Sequence, residues 1–321
     1  MKLLLAAALC AACAPVMHQA RLSDDEPASE RELQARENLR THPECRSRLG
    51  VLLPGYLQIC RGRTADGAVL AGLGVAELGT AIGASVADGI SSNAAGVPLL
   101  ALGDLLTLSV MDAGLENQRA LKLKYVPQEN LSELARAPFS FEVLRRPTVW
   151  GGIIGTLAAG LLVSRLVDGP ITTQGFGKRP VLFGHEVNSA AGYPAAGVIG
   201  VGLFEHVSLA EESTFRGLLQ STWSREYGED RGFVYGSLAF GALHATNIFF
   251  MDSSERLNYL AVGVPFITVL GSYLGLVYRS SGYSLGPSVA IHFWYDFLVE
   301  AIGFAGDPKN SPLALSWGTP F

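Results

Sequence analysis

The sequence predicts an all-α polytopic membrane protein, a transmembrane bundle of about seven helices with polar residues in its interior. Of the 321 residues, 49% are hydrophobic and only 17% are charged, and the mean hydropathy is +0.28. Soluble domains usually carry about 25% charged residues, so the lipid bilayer is an expected partner. The 37 glycines suit close packing between membrane helices. The net charge of −5, with no polybasic block, gives no sign of a nucleic-acid partner.

The first segment of the chain predicts export or membrane insertion. Residues 1–20 combine one lysine with an apolar run too short to span a bilayer, as in a signal peptide or a signal anchor. Cys10-Ala11-Ala12-Cys13 resembles the cleavage box of a bacterial lipoprotein, in which Cys13 would be lipidated. An uncleaved signal anchor is the alternative. We therefore expect an integral membrane protein of the bacterial cytoplasmic membrane.

The rest of the chain divides by composition into four parts. They are a polar N-terminal segment (21–64), an accessory helical hairpin with a basic loop (65–148), a catalytic membrane core (149–304) and a C-terminal tail (305–321). Apolar stretches of about 20 residues, the length that a membrane helix needs, lie at 65–87, 94–113, 149–167, 190–210, 232–250, 259–278 and 285–304. The basic residues of loop 114–148 predict a cytoplasmic position. The arginines of 31–63 predict the same side, which conflicts with export behind a cleaved signal.

Two further cysteines, Cys45 and Cys60, lie in the polar N-terminal segment. They would form a disulfide if this segment faces an oxidising compartment. Two free thiols are the equally open alternative. No C-x-x-C pair is present, so a cysteine zinc site is not expected.

Titratable side chains are concentrated on three neighbouring apolar stretches. Burying such a group in hydrocarbon costs at least ~2.5 kcal/mol, so a cluster of them predicts a reaction centre. The cluster comprises Glu211, Glu212, Arg216, His244, His292 and Asp296. A carboxylate and an imidazole that converge on a water molecule can deprotonate it, and a second imidazole can stabilise the resulting oxyanion.

Helical spacing predicts how the first group of these residues is divided. If residues 205–220 form one α-helix, Glu212 and Arg216 lie on the same face and can pair. Glu211 lies about 100° round the helix and faces a different neighbour. Glu211 would therefore remain available to a cavity.

Three motifs carry a resemblance to a known family. Residues 211–216 read EExxxR, residues 240–244 read FxxxH and residues 292–296 read HxxxD. In order and approximate spacing they resemble the CPBP family of intramembrane endopeptidases. This family groups the CAAX prenyl endopeptidases with bacteriocin-processing and immunity proteins. The resemblance covers roughly residues 149–304, whereas residues 1–148 match no family pattern.

The resemblance implies a membrane-embedded protease that hydrolyses a hydrophobic or membrane-associated peptide or protein substrate. Glu211 would activate a water molecule together with His244, and His292 with Asp296 would form an oxyanion site. The supporting residues would be Glu212, Arg216 and Phe240. The CAAX branch has Asn at the last motif position. Because an ionised aspartate cannot donate a hydrogen bond, Asp296 is expected to be protonated or to orient His292.

Two alternatives remain open at this stage. Glu211, His244 and His292 offer the carboxylate and two imidazoles that a catalytic zinc commonly uses. They lie on three separate stretches without an H-E-x-x-H motif, so we expect a metal-independent enzyme with no cofactor. The second alternative is a non-proteolytic membrane protein, either a proton-coupled transporter or an immunity-type binding factor. We expect Trp294 and Tyr295 to line lipid or the cavity rather than to react.

Overall fold

The computed structural model describes residues 52–88, 93–167, 175–182 and 185–309, together with positions 30, 33, 37 and 45. This part of the chain is almost entirely helical, which confirms the all-α polytopic prediction. The helices are α1 (Tyr56–Cys60), α2 (Thr64–Asp88), α3 (Asn93–Ala120), α4 (Leu131–Arg136), α5 (Phe141–Leu144), α6 (Pro147–Val167), α7 (Ser189–Glu212), α8 (Ser221–Tyr227), α9 (Glu229–His244), α10 (Ser253–Asn258), α11 (Val264–Ser280) and α12 (Gly286–Gly306). The predicted signal segment, including Cys13, lies outside the described residues.

Each of the seven predicted apolar stretches lies within or overlaps these helices. Among the described residues, five segments are long and apolar enough to cross a membrane: Thr64–Val86, Gly96–Ala120, Pro147–Leu166, Ser253–Ser280 and Gly286–Gly306. Neither α7 nor α9 is among them, and α9 has only 16 residues. The number of membrane spans therefore stays a prediction.

Several short non-α segments interrupt or extend the helices. They are 3₁₀ turns at Ala137–Phe139 and Ala245–Phe250, π-helical segments at Ser213–Gln220 and Tyr259–Gly263, and an antiparallel pair of two-residue strands, β1 (Val181–Leu182) and β2 (His185–Glu186). The prediction of a single α-helix over 205–220 was wrong after Glu212. There the helix widens to a π-helix, a form that occurs often at functional sites.

The accessory hairpin of α2 and α3 is fixed to the N-terminal segment by buried polar contacts. The Gln58 amide donates to the Ser109 carbonyl at 2.8 Å and to Asp112 Oδ2 at 2.9 Å. Arg61 donates to Glu116, and Arg63 donates to Asp112 at 2.6 Å. These pairings neutralise two of the arginines that suggested a cytoplasmic side. They also bring the N-terminal segment to the end of the hairpin from which loop 121–130 leaves.

Cys45 and Cys60 form a disulfide. Of the two open alternatives, the structure therefore has the cross-link rather than free thiols. Because disulfides persist in oxidising compartments, this end of the hairpin is better suited to the outer side of a membrane. The basic loop that leaves the same end had predicted the cytoplasmic side.

The membrane core packs around α12. Helices α6 and α7 pack against α12, α9 packs against α11, and α3 packs against α7. The centre of α12 is fully buried, with Val289, Ala290, Ile291 and Phe293 all at 0% exposure. His206 of α7 lies 3.5 Å from Glu77 of α2, which joins the accessory hairpin to the core through a polar contact. The core thus packs α7 and α12 side by side.

Candidate active site

The structure brings the predicted cluster together at the ends of two helices and on the face of a third. Glu211 and Glu212 are the last residues of α7, and His244 is the last residue of α9. His292 and Asp296 lie one turn apart on α12. Because α7 changes to a π-helix and α9 to a 3₁₀ turn at these residues, Glu211, Glu212 and His244 lie where regular helices end.

Glu212 is the buried centre of the cluster, with 0% of its side chain exposed. Its Oε1 atom accepts from Arg216 Nη1 at 2.8 Å and from His292 Nδ1 at 2.8 Å. The predicted pairing of Glu212 with Arg216 is therefore present. The bond to His292, 80 residues further along the chain, was not predicted. It makes Glu212 the residue that orients the imidazole of His292.

Arg216 joins the π-helical segment to α9 and α11. Its Nη2 atom donates to the carbonyl of Gly271 at 2.8 Å, and its guanidinium lies 4.3 Å from the centroid of the Phe240 ring. A Cβ atom at position 271 would approach Phe240 Cδ1 to 2.6 Å. Glycine at this position therefore allows α11 to approach both side chains. Phe240 of the FxxxH motif thus packs its ring against the buried guanidinium of Arg216.

His244 is oriented by the backbone of its own helix. Its Nδ1 atom lies 2.8 Å from the carbonyl oxygen of Phe240, and because a carbonyl only accepts, Nδ1 must carry the proton. Its Nε2 atom then keeps its lone pair in the neutral ring and lies 3.7 Å from Glu211 Oε2. The Tyr259 hydroxyl donates to the His244 carbonyl at 3.1 Å, which fixes the backbone at this helix end.

His292 has carboxylates next to both of its ring nitrogens. Beyond the Nδ1 bond to Glu212, its Nε2 atom lies 3.2 Å from Asp296 Oδ2 and 3.9 Å from Glu211 Oε2. Ionised carboxylates only accept hydrogen bonds, so this geometry fits a doubly protonated imidazolium. Asp296 thereby has the orienting position that was one of its two predicted roles.

A cavity of about 410 Å³, including space open to solvent, adjoins these groups. Its titratable lining includes His244, His292 and Asp296, and Thr156 and Tyr295 add hydroxyl groups. The Glu211 and His244 side chains are each 16% exposed. Its apolar lining comes from α9, α11 and α12, with Phe240, Ile267, Leu270, Leu274 and Ile291 among the lining residues. The cavity is thus apolar on one side and titratable on the other.

The order of these elements along the chain can now be compared with known proteins. A family model described as "Type II CAAX prenyl endopeptidase Rce1-like" matches residues 194–298, which is 105 of the 321 residues. The chain is therefore similar to this family over about a third of its length. The match confirms the family predicted from the three motifs, and it contains every residue of the cluster. No curated protein and no solved structure matches the chain significantly.

The contacts of His292 bear on the zinc alternative. A zinc ligand needs a free lone pair on an imidazole nitrogen, whereas both nitrogens of His292 face carboxylates at 2.8 and 3.2 Å. Within the described ranges, no group of three or more His, Cys, Asp or Glu side chains is arranged to hold a metal ion. The chemistry proposed below uses the side chains of the cluster and water, and metal independence stays a prediction.

Sequence reasoning did not identify the lining residues outside the Rce1-like motifs. Thr156 on α6 and Leu270 and Leu274 on α11 line the cavity, but nothing in their sequence context distinguishes them from lipid-facing residues. Two of the three aromatic residues inside HxxxD, Trp294 and Tyr295, differ from each other. Trp294 donates to the Pro138 carbonyl at 2.8 Å, whereas Tyr295 lines the cavity.

Proposed function

We propose that this protein is an intramembrane endopeptidase that hydrolyses a peptide bond in a hydrophobic or membrane-associated peptide or protein. One observation carries the proposal. Glu211 Oε2 and His244 Nε2 face each other across 3.7 Å beside an apolar cavity in a helix bundle. The Rce1-like family match over the same helices supports a protease rather than another use of these groups.

Glu211 and His244 are placed to hold a water molecule beside them. Their 3.7 Å separation exceeds a direct hydrogen bond, and a water to one side of the pair, about 2.8 Å from each atom, can donate one hydrogen to the carboxylate and one to the imidazole. Glu211 takes a proton from this water as its oxygen attacks the scissile carbonyl carbon. His244 holds the water through Nε2. The protonated Glu211 then gives its proton to the leaving amine, and the C–N bond breaks.

The oxyanion that forms in this step needs nearby positive charge. His292, held between Glu212 and Asp296, supplies that charge, and both carboxylates fix the plane of its ring. Preorganised charge of this kind stabilises an oxyanion without reorganisation during the reaction. Arg216 offsets the buried negative charge of Glu212. Glu212 in turn orients the imidazolium of His292 through its hydrogen bond to Nδ1.

The apolar side of the cavity indicates which residues bind next to the scissile bond. Ile267, Leu270, Leu274 and Ile291 favour an apolar side chain, because burial removes about 25 cal/mol of free energy per Å² of apolar surface. The substrate is therefore a hydrophobic segment that reaches the cavity within the membrane. We propose the bacterial cytoplasmic membrane as the location of the enzyme.

The proposal is tested with the full chain reconstituted in liposomes. Two probes are added separately: a peptide with a prenylated C-terminal cysteine motif and an unprenylated hydrophobic peptide. Mass spectrometry should detect a pair of products whose masses sum to the peptide plus one water. Cleavage at the wild-type rate by the Glu211→Gln protein would overturn the proposal. Proton-coupled uptake of a solute without cleavage would instead identify a transporter.

A further inference from the structure

Tyr295 carries a buried hydroxyl group that the site described so far does not use. The residue is only 5% exposed and lines the cavity beside Asp296 and His292. Its Oη atom has no hydrogen-bond partner among the described residues. Buried polar atoms are normally paired, so an unpaired one inside a cavity points to a ligand.

The other N–H and O–H donors of the cavity lining are already directed elsewhere. His292 has its two N–H groups directed at Glu212 and Asp296, and His244 donates from Nδ1 to the Phe240 carbonyl. The Thr156 hydroxyl donates to the Gly152 carbonyl at 2.8 Å. Asp296, facing an imidazolium, is an acceptor. His292 therefore brings positive charge to the reaction centre, but both of its N–H groups already face carboxylates and not the substrate.

We propose that Tyr295 Oη donates a hydrogen bond to the carbonyl oxygen of the scissile peptide bond and stabilises the oxyanion. This inference rests on the proposed endopeptidase function and adds a donor from the middle of the HxxxD motif. A tyrosine hydroxyl is a neutral donor that needs no proton transfer to act. Combined with the positive charge of His292, it completes the two components of an oxyanion site.

The space for this hydroxyl is provided by a glycine on α6. A Cβ atom at Gly160 would lie 2.8 Å from Tyr295 Oη and 3.1 Å from its Cε2 atom. An alanine there would displace the end of the tyrosine ring. A Cβ atom at Gly155, on the same helix, would meet no other side chain or neighbouring backbone within 4 Å, so alanine is accommodated there.

The direct test is Tyr295→Phe in the full chain, measured with a cleavable peptide identified as above. Removing one oxyanion donor lowers kcat by roughly 10²–10³-fold, and we expect KM to change little because the bond strengthens in the transition state. Thermal stability should not fall, since an unpaired hydroxyl is being removed. Tyr193→Phe is the matched control, because the Tyr193 hydroxyl is also buried without a partner but does not line the cavity.

A second pair of variants tests the same contact from α6. Gly160→Ala should reduce kcat, whereas Gly155→Ala should leave it unchanged. Both variants raise helix propensity equally, so a lower kcat for Gly160→Ala alone would show that displacement of Tyr295 lowers the rate.

The outcomes separate this inference from the proposed function. If the wild-type protein cleaves and Glu211→Gln does not, but Tyr295→Phe keeps its kcat, Tyr295 is not the donor and only the inference fails. A fall in both activity and melting temperature for Tyr295→Phe would assign a structural role and also overturn it. If wild type and Glu211→Gln behave alike, the proposed function fails and the inference with it.

Discussion

Replacing Arg216 by methionine should destabilise the whole cluster. Arg216 is 2% exposed and makes three contacts: to Glu212 at 2.8 Å, to the Gly271 carbonyl at 2.8 Å and over the Phe240 ring at 4.3 Å. Methionine keeps much of the volume and removes the charge. Glu212, which has no exposed surface, then keeps only His292 as a positive neighbour among the partners described above.

The expected magnitude follows from burial. Removing one member of a buried ion pair costs about 3–5 kcal/mol, because the remaining charge is left uncompensated. For a domain of this size each kcal/mol lowers the melting temperature by roughly 2–4 °C. Arg216→Met should therefore lower the melting temperature by roughly 6–20 °C. The double variant with Glu212→Gln should lose less than the sum of the two single losses, since each removes the same interaction.

The assay is thermal unfolding of purified protein in detergent, with Arg279→Met as the matched control. Arg279 pairs with Asp230, whose side chain is 91% exposed, and such surface pairs contribute at most about 1 kcal/mol. A melting temperature for Arg216→Met equal to that of the control would refute the structural role of the pair. If Arg216→Met is also inactive, the residue acts in the chemistry instead.

Two further predictions concern metal and the N-terminal cross-link. Activity should survive dialysis against a chelator, because His292 has no free nitrogen for zinc; loss of activity that zinc alone restores would contradict this. Protein purified without reductant should yield a disulfide-linked peptide containing Cys45 and Cys60, and Cys60→Ser should lower the free energy of unfolding by about 3 kcal/mol for a loop of this length. Unlinked peptides from such a sample would show that this segment does not reach an oxidising compartment.

The sequence was sufficient to predict the fold class, the family and the membership of the polar cluster. Charged side chains are expensive in hydrocarbon, so Glu211, His244 and His292 could be identified from their apolar surroundings alone. Spacing within one helix also predicted the pairing of Glu212 with Arg216, since residues four apart share a face.

Contacts between helices could not be predicted in the same way. Helical periodicity determines which residues share a face but not which neighbouring helix that face meets. The bond from Glu212 to His292 and the cavity wall formed by Leu270 and Leu274 depend on how α7, α11 and α12 pack. The change to a π-helix after Glu212 also alters the register at the point where an α-helical extrapolation would continue.

The most direct test of the central claim is the turnover rate of Glu211→Gln against Glu205→Gln. Both changes replace a carboxylate by an amide near the end of α7, but it is Glu211 that lies 3.7 Å from His244 Nε2 and 3.9 Å from His292 Nε2. Removing a general base typically lowers the rate by ~10²–10⁴-fold. We predict such a loss for Glu211→Gln with an unchanged melting temperature, and near-normal turnover for Glu205→Gln. Wild-type turnover by Glu211→Gln would contradict the assignment of Glu211 as the group that activates water.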